Sequence, residues 1–245
     1  FGALIVLFFG GLFLVSLLTG DDEEDAAPAS TTVAPTTTAV TSTTAGDTTT
    51  TAPAVATECP PEGGVDEPVR SFDGPPPTCI DPDKSYTAVI DTSEGEITVD
   101  LDTASTPQTV NNFVVLSRYG YYDGTPVFRT DPSIGIIQAG GEDPTSSPGY
   151  TIPDEGDGYT YEPGQIVMAR TSDPDSAGAQ FFLVGTDAAS ALDAQGTYVV
   201  FGTTDQAGIE VINAILDLHE ADPTSGLGGA PSRDVTIESV TIRES

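Results

Sequence analysis

Residues 86–243 predict a mainly β domain, a closed β-barrel capped by two α-helices. Eight short apolar runs of strand length are separated by turn residues, and two further stretches repeat apolar residues at helical spacing. Many short strands with two helices in a segment of this length are typical of a capped barrel. Ahead of this domain, the sequence predicts a transmembrane helix and a disordered linker.

Residues 1–20 are predicted to form a membrane anchor. They contain "FGALIVLFFGGLFLVSLLT", a run of 19 residues without a charged side chain. As a helix rising about 1.5 Å per residue, this run is about 29 Å long, enough to cross the apolar part of a bilayer. The alternative is a cleaved signal peptide, but the run is long and no small-x-small site precedes "DDEED". The anchor predicts a single-pass protein of the cell membrane with an extracytoplasmic domain.

Two segments connect this anchor to the domain. Residues 21–58 are rich in Thr, Ala and Pro and hold too few large apolar side chains to offset the entropy of ordering them, which predicts a disordered linker. Residues 59–85, called the lead-in below, contain Cys59 and Cys79 on either side of a Pro- and Gly-rich stretch. In an extracytoplasmic setting these two cysteines predict a disulfide that ties the lead-in to the domain.

The predicted domain opens with a β-hairpin and an α-helix. The stretch "YTAVIDTSEGEITVDLD" alternates apolar and polar residues on both sides of a Ser-Glu-Gly turn, which predicts two antiparallel strands. Thr106 and Pro107 then stand where an N-cap and a first helical residue belong. A second helix is predicted around "GIEVINAILDLH", where Ile209, Ile212 and Leu216 fall on one face.

Six further strands complete the predicted barrel. Their sequences are "PVFRT", "IGIIQAG", "GQIVMAR", "AQFFLVG", "YVVFG" and "DVTIESVTIRE". Between the second and third of these, the acidic run "PDEGDGYTYE" does not place its carboxylates at the ligand positions of a calcium loop, so it is predicted to be a solvated loop.

Composition excludes several functional classes. The formal net charge is −31, from 7 Lys and Arg against 38 Asp and Glu, which excludes binding to nucleic acid and favours a soluble monomer. A nucleophilic triad would have to use the single His, His219, or the single Lys, Lys84, and neither Cys has a His nearby in sequence for a zinc site. No glycine-rich phosphate loop is present. An enzyme built from this chain is predicted to work without a metal or cofactor.

Polar side chains interrupt three of the apolar strands: Arg129, Gln138 and Gln180. Alternation places Arg129 on the same face as Val127. It likewise places Gln180 on one face with Phe182. Spacing alone leaves open whether these are solvent-facing residues of half-buried strands or members of one site.

Several motifs in order make the chain similar to one family. They read "YYDGTPVFRT", "IIQAGGEDP", "GQIVMARTSD", "AGAQFFLVG" and "YVVFG". The chain thereby resembles the cyclophilin family of peptidyl-prolyl cis-trans isomerases, and most closely its secreted bacterial members with a membrane anchor and a linker. The resemblance covers residues 86–243. It implies a closed eight-stranded antiparallel cyclophilin-like β-barrel with a helix over each end, isomerase activity on X–Pro bonds and assistance in the folding of exported proteins.

The resemblance also implies which residues form the site. Arg129 would be the catalytic cation, with Gln138 beside it as the second catalytic residue. The positions implied to bind the proline-containing substrate are Ile136, Ala169, Arg170, Gln180, Phe182, Leu192 and Tyr198. Of these, Ile136, Phe182 and Leu192 would form the apolar pocket for the proline ring.

These residue types suit isomerisation of an X–Pro bond. Rotation about a peptide bond has a barrier of about 18–20 kcal/mol because amide resonance is lost in the twisted state. The proline nitrogen then gains a lone pair. The always-charged guanidinium of Arg129 can donate a hydrogen bond to that nitrogen, which stabilises the twisted state more than the planar one.

Two departures from the family pattern bear on activity. The segment between Arg129 and Gln138 is one residue longer than usual, so the usual pocket aromatic is replaced by Gly135 or, on a shifted alignment, by Ile134. The family's Asn after Met-Ala is Arg170 here, a cation beside the groove that bears on substrate choice. The thinned aromatic lining leaves an alternative function, a catalytically weak proline-peptide-binding module at the cell envelope.

Overall fold

The computed structural model describes residues 56–245. The predicted anchor, residues 1–20, and nearly all of the predicted linker, residues 21–58, lie outside the described residues. Within the described part, no helix has the length and apolar character needed to cross a membrane.

The described residues form strands joined by two α-helices and one short 3₁₀ helix. In chain order, the elements are β1 Tyr86–Thr92, β2 Gly95–Leu101, α1 Pro107–Arg118, β3 Thr125–Pro126, β4 Arg129–Asp131, β5 Ile136–Ala139, β6 Gln165–Met168, β7 Phe181–Val184, the 3₁₀ helix Asp187–Leu192, β8 Val200–Thr204, α2 Gln206–Leu216, β9 His219–Ala221, β10 Gly229–Pro231 and β11 Thr236–Glu244. The predicted first hairpin is confirmed, since β1 and β2 pair with Ile90 opposite Ile97 and both side chains are buried.

Nine of these strands form one antiparallel sheet, in the order β3-β11-β1-β2-β8-β6-β7-β5-β4. The end strands β3 and β4 are separated in the chain only by Val127 and Phe128. The sheet therefore curls until its two ends meet. Among the described residues the end strands are not paired with each other. The domain is mainly β, as predicted, but it is a curled sheet of nine strands and not a closed barrel of eight.

The ninth strand exists because the stretch "PVFRT" changes its partner midway. β3 pairs with β11, and the N–H of Val127 still donates to the carbonyl of Val235 at 2.9 Å. β4 then pairs with β5. Val127 packs in the larger of two apolar cores, whereas Arg129 lies on the opposite side of the sheet. The predicted shared face of Val127 and Arg129 is wrong, because alternation does not continue across a break in strand pairing.

The sheet carries one apolar core on each face. In β7, Phe181 and Leu183 point into the larger core, which helices α1 and α2 cover. Phe182 and Val184 point into the smaller core on the other face, beside Leu192 of the 3₁₀ helix. The predicted alternation along "QFFLV" is confirmed, and it places the candidate site on the face with the smaller core.

Helix α1 begins where predicted, but a distant residue caps its N-terminus. The hydroxyl of Thr106 donates to the Asp102 carbonyl at 2.9 Å and makes no cap bond. Instead, the Glu155 carboxylate accepts from the backbone N–H groups of Gln108 at 3.0 Å and Thr109 at 2.7 Å. Glu155 is buried. The prediction that its acidic run is a solvated loop is therefore wrong at this residue.

The lead-in is joined to helix α1. A disulfide links Cys59 and Cys79, as predicted. The side-chain oxygen of Asn111 accepts from the N–H of Cys79 at 2.7 Å and of Ile80 at 3.2 Å, and its amide nitrogen donates to the Pro77 carbonyl at 2.9 Å. A bond that closes a loop of 20 residues contributes about 3 kcal/mol of stability in the chain-entropy model.

Candidate active site

A pocket opens on the face of the sheet that carries the smaller core. Its lining residues are Arg129, Ile134, Ile136, Gln138, Ala169, Arg170, Phe182, Leu192 and Tyr198. The structure thus brings together all of the predicted catalytic and substrate-binding residues except Gln180, which lines an adjoining cavity. Ile134 joins them.

Strand register places the polar and aromatic members of the pocket side by side. Arg129 of β4 lies opposite Gln138 of β5, and Gln138 lies opposite Phe182 of β7. Directly opposite residues of an antiparallel pair have Cα atoms about 4.5–5.5 Å apart and point to the same face. The cation, the amide and the aromatic ring therefore form one row across three strands.

The guanidinium of Arg129 is buried and held by three acceptors. Nε donates to the Leu227 carbonyl at 2.6 Å, Nη1 donates to Oε1 of Gln138 at 3.0 Å, and Nη2 donates to Oδ2 of Asp131 at 2.8 Å. A guanidinium carries five N–H groups. Within residues 56–245, these bonds leave one N–H on Nη1 and one on Nη2 to donate elsewhere.

Asp131 is the counter-ion of Arg129. It lies two residues further along β4, on the same face, and it is also largely buried. Its other oxygen, Oδ1, accepts from the hydroxyl of Ser133 at 2.6 Å and from the Ser133 N–H at 3.1 Å. A buried cation needs such a partner, because removing one ion from water costs several kcal/mol even after the protein relaxes around it. The ion pair with Asp131 therefore allows the charged side chain of Arg129 to be buried on an apolar face of the sheet.

Gln180 links this row to the neighbouring loop. Its side-chain oxygen accepts from Nε2 of Gln138 at 3.1 Å. Its Nε2 donates to the carbonyls of Pro144 at 3.0 Å and Ser146 at 3.1 Å. Both amides are buried. The chain of bonds from this loop through Gln180 and Gln138 fixes the plane of the Arg129 guanidinium.

Phe182 and Tyr198 form one wall of the pocket, and Tyr161 packs against both of them. Phe182 meets Tyr198 edge-on, with ring centroids 5.6 Å apart, and lies 6.4 Å from Tyr161. Burial raises the pKa of Tyr161 to about 12 and also raises the pKa of Tyr198. Both phenols therefore stay neutral near pH 7, so this wall carries no phenolate.

The longer segment after β4 brings Ile134 to the pocket and Gly135 to a tight turn. Ile134 is buried in the pocket lining. Gly135 has φ +61°, and a side chain there would collide with the hydroxyl of Thr186. Its carbonyl accepts from the N–H of Gly185 at 2.8 Å. Of the two residues that the sequence offered for the aromatic position, Ile134 is the one that lines the pocket.

Arg170 lies against the rim of the pocket. Its Nε donates to the Thr197 carbonyl at 3.2 Å, and its Nη1 donates to the Asp173 carbonyl at 2.8 Å. Its guanidinium carbon is 6.0 Å from the centroid of the Tyr198 ring, within cation–π range. An oxygen of the Asp154 carboxylate is 3.7 Å from Nε. Although it replaces a shorter residue, Arg170 is therefore fixed in place.

A second cavity of about 330 Å³ adjoins the pocket. The two share Ala169 and Arg170 as a common wall. The loop 144–148, Tyr150 and Gln180 are also among its lining residues. The pocket and this cavity are together called the groove below.

Several contributors to the site were not predicted. Asp131 could have been found, because it follows Arg129 by two positions in one strand and so shares its face. Tyr161 and the Leu227 carbonyl carried no signal, since both come from loops distant in the chain. In the described ranges, no group of three or more His, Cys, Asp or Glu side chains is arranged to hold a metal ion.

The fold and the site define a class of protein. On a curled antiparallel sheet, an apolar pocket lined by branched and aromatic side chains lies beside a fixed guanidinium, and a second cavity adjoins it. Such a site presents a hydrogen-bond donor next to an apolar surface.

Comparison with known proteins identifies the family. The sequence pattern of the family described as "Cyclophilin type peptidyl-prolyl cis-trans isomerase/CLD" matches residues 87–242. The chain belongs to the cyclophilin-type peptidyl-prolyl cis-trans isomerases, as its motifs predicted.

Individual relatives agree with this assignment. A peptidyl-prolyl cis-trans isomerase of Streptomyces antibioticus is 36% identical over 170 residues, which cover 64% of this chain and 98% of that protein. A Mycobacterium leprae relative is 33% identical over 175 residues, but the chain spans only 57% of its length. Among solved structures, a cyclophilin-type isomerase of Cryptosporidium parvum, determined in the presence of the dipeptide Ala-Pro, is 28% identical. Its TM-score is 0.53, with 65% of this chain and 99% of that chain covered.

Proposed function

We propose that the Arg129 pocket isomerises X–Pro bonds in polypeptide substrates. The observation that carries the proposal is the position of Arg129: a buried guanidinium, held by three acceptors, with N–H groups left over on Nη1 and Nη2 next to an apolar pocket. Membership of the cyclophilin-type family supports it.

The pocket holds the proline ring while the other side of the bond turns. Ile134, Ile136, Phe182 and Leu192 line the pocket; in this proposal the proline ring packs against them, and burying such a ring supplies about 1.5–3 kcal/mol of binding free energy. As the bond twists, the proline nitrogen becomes pyramidal and a better acceptor. The unused N–H groups of Arg129 donate to that nitrogen, so the bond to Arg129 is stronger in the twisted state than in the planar one.

The partners of Arg129 serve to preorganise it. Asp131, Gln138 and the Leu227 carbonyl fix three of its N–H groups before a substrate arrives. A donor that is already oriented needs no reorganisation when the transition state forms. Gln138 is thereby a positioning residue, and Gln180 supports it in turn.

Catalysis by the wild-type chain is the direct test. The full 245-residue chain, purified in detergent, is mixed with a short X–Pro peptide, and the relaxation of its cis and trans forms is followed after a change of solvent. Acceleration in proportion to the protein concentration is expected. Relaxation at the uncatalysed rate would contradict the proposal.

Truncating the pocket should weaken substrate binding. Phe182→Ala is expected to raise KM about 10- to 100-fold, because the apolar contact of the proline ring with a buried phenyl group is lost. Phe128→Ala is the matched control, since Phe128 is a half-buried phenylalanine outside the pocket lining. KM is measured for both variants in the relaxation assay. Equal KM values for Phe182→Ala and Phe128→Ala would mean that the proline ring does not bind against Phe182.

The proposed setting is the outer side of a cell membrane, where the chain acts as a monomer on exported proteins. The uncharged run in residues 1–20 supports an anchor, and the Cys59–Cys79 disulfide supports an oxidising compartment. The net charge of −31 supports a monomer by self-repulsion.

Adding protease to intact cells is expected to digest the domain, while a cytoplasmic control protein survives. Digestion only after the cells are broken would contradict this setting.

A further inference from the structure

The lead-in lies outside the residues that match the family, yet it packs against the domain near the groove. The family match begins at residue 87, after the lead-in ends. Arg70 of the lead-in donates to the carbonyls of Tyr121 and Asp123, the latter at 2.7 Å. The N–H of Val69 donates to the Tyr119 carbonyl at 2.9 Å. Together with the disulfide and Asn111, these bonds hold the middle of the lead-in in one position.

Phe72 is the point of contact between the lead-in and the wall of the groove. Its side chain is only 2% exposed, and its ring lies 5.1 Å from that of Tyr119 and 6.3 Å from that of Tyr150. Its backbone N–H donates to the Pro148 carbonyl at 2.8 Å. Both Pro148 and Tyr150 line the groove.

The contact between Phe72 and the wall of the groove requires a glycine at position 149. Gly149 has φ +102°, and any side chain there would collide with the backbone oxygen of Phe72. Only glycine allows the two backbones to approach so closely. The approach brings the loop 144–150 directly onto the lead-in.

The same loop also supports the catalytic row. The carbonyls of Pro144 and Ser146 accept from Gln180, which holds Gln138 and through it Arg129. The loop belongs to none of the strands or helices, and much of it is exposed. Its position is therefore set by Phe72 on one side, by Gln180 on the other, and by the Tyr150 hydroxyl, which donates to Oδ1 of Asn112 at 2.7 Å.

We propose that Phe72 is a positioning residue for the groove, which fixes the loop 144–150 against the peptide residues that flank the proline. This inference rests on the proposed function, because it names the part of the substrate that the lead-in affects. A peptide long enough to reach the second cavity depends on Phe72, whereas a minimal Ala-Pro dipeptide in the pocket does not.

The test compares peptide length in the full chain and its variants. KM is measured for a peptide with several residues on each side of the proline, and the affinity of the Ala-Pro dipeptide is measured by its inhibition of the same reaction. Phe72→Ala is expected to raise KM for the long peptide about tenfold, as misplaced groups in a binding site do, with dipeptide affinity unchanged. Phe72→Leu, which keeps an apolar side chain in place, is expected to restore part of the loss.

Ile80→Ala is the matched control, because Ile80 is also a buried lead-in residue but is anchored on helix α1 through Asn111. It should lower stability and leave the ratio of long-peptide to dipeptide affinity as in the wild type. If the wild type is active and both Phe72 variants keep its ratio of long-peptide to dipeptide affinity, the inference is overturned. A wild type that binds both peptides without turnover would instead overturn the proposed function. In that case the ratio of long-peptide to dipeptide affinity is measured from Kd values by calorimetry, and its change in the Phe72 variants tests the inference.

Discussion

Replacing Arg129 with alanine is expected to lower kcat/KM about 10²- to 10³-fold, the usual effect of removing one preorganised donor to a transition state. The loss should fall mainly on kcat, because the bond to the proline nitrogen forms only as the amide twists. Arg129→Lys should restore little. An ammonium group cannot keep the separate bonds to Asp131, Gln138 and the Leu227 carbonyl while still donating to the substrate.

The variant needs a control for stability, since Arg129→Ala leaves the largely buried carboxylate of Asp131 without its cation. Removing one partner of a buried ion pair costs about 3–5 kcal/mol. The double variant Arg129→Ala/Asp131→Asn is expected to regain much of this stability in a urea titration while staying inactive in the relaxation assay. Recovery of activity in the double variant would mean that the guanidinium takes no part in the reaction.

Glu155→Ala is expected to lower the free energy of unfolding by about 4 kcal/mol. The Glu155 carboxylate accepts from the N–H groups of Gln108 and Thr109 and from the Thr109 hydroxyl at 2.7 Å. Each buried donor left unsatisfied costs about 1–3 kcal/mol. The negative charge also lies at the positive end of the α1 macrodipole, where it is stabilising.

Urea unfolding of three variants checks this prediction. Glu155→Gln keeps the shape and two of the acceptor contacts but loses the charge, so its loss should be about half as large. Glu162→Ala removes the same charge from an exposed position nearby and should change the free energy of unfolding by less than about 0.5 kcal/mol. Equal losses for Glu155→Ala and Glu162→Ala would show that the cap is not formed in solution.

The sequence was informative wherever structure follows from neighbouring residues. The first hairpin could be predicted because alternation on both sides of a turn fixes which residues pair. This hairpin is a local pattern with a period of two, which burial on one face reinforces. The grouping of Arg129, Gln138 and Phe182 was implied by the family resemblance instead, because alternation alone placed Arg129 on the wrong face.

Features that depend on distant partners could not be predicted. The division of "PVFRT" into two strands depends on which strand lies beside each half, and one of those strands comes about 110 residues later in the chain. Glu155 reads as a solvated acid until the N-terminus of α1 is placed beside it. Phe72 stands in a Pro-rich stretch with no periodicity, so nothing in its surroundings marks it as buried. Each of these contacts is decided by tertiary packing.

The most direct measurement is exchange spectroscopy by NMR on an X–Pro peptide, with a catalytic amount of the full chain. The free peptide interconverts over tens to hundreds of seconds, roughly the uncatalysed range for proline bonds. With wild-type protein we expect exchange between the cis and trans signals within the experiment, and no such exchange with Arg129→Ala. Peptide signals that shift on binding without cis–trans exchange would contradict catalysis by Arg129, and would show instead a cyclophilin-type domain that binds proline segments without isomerising them.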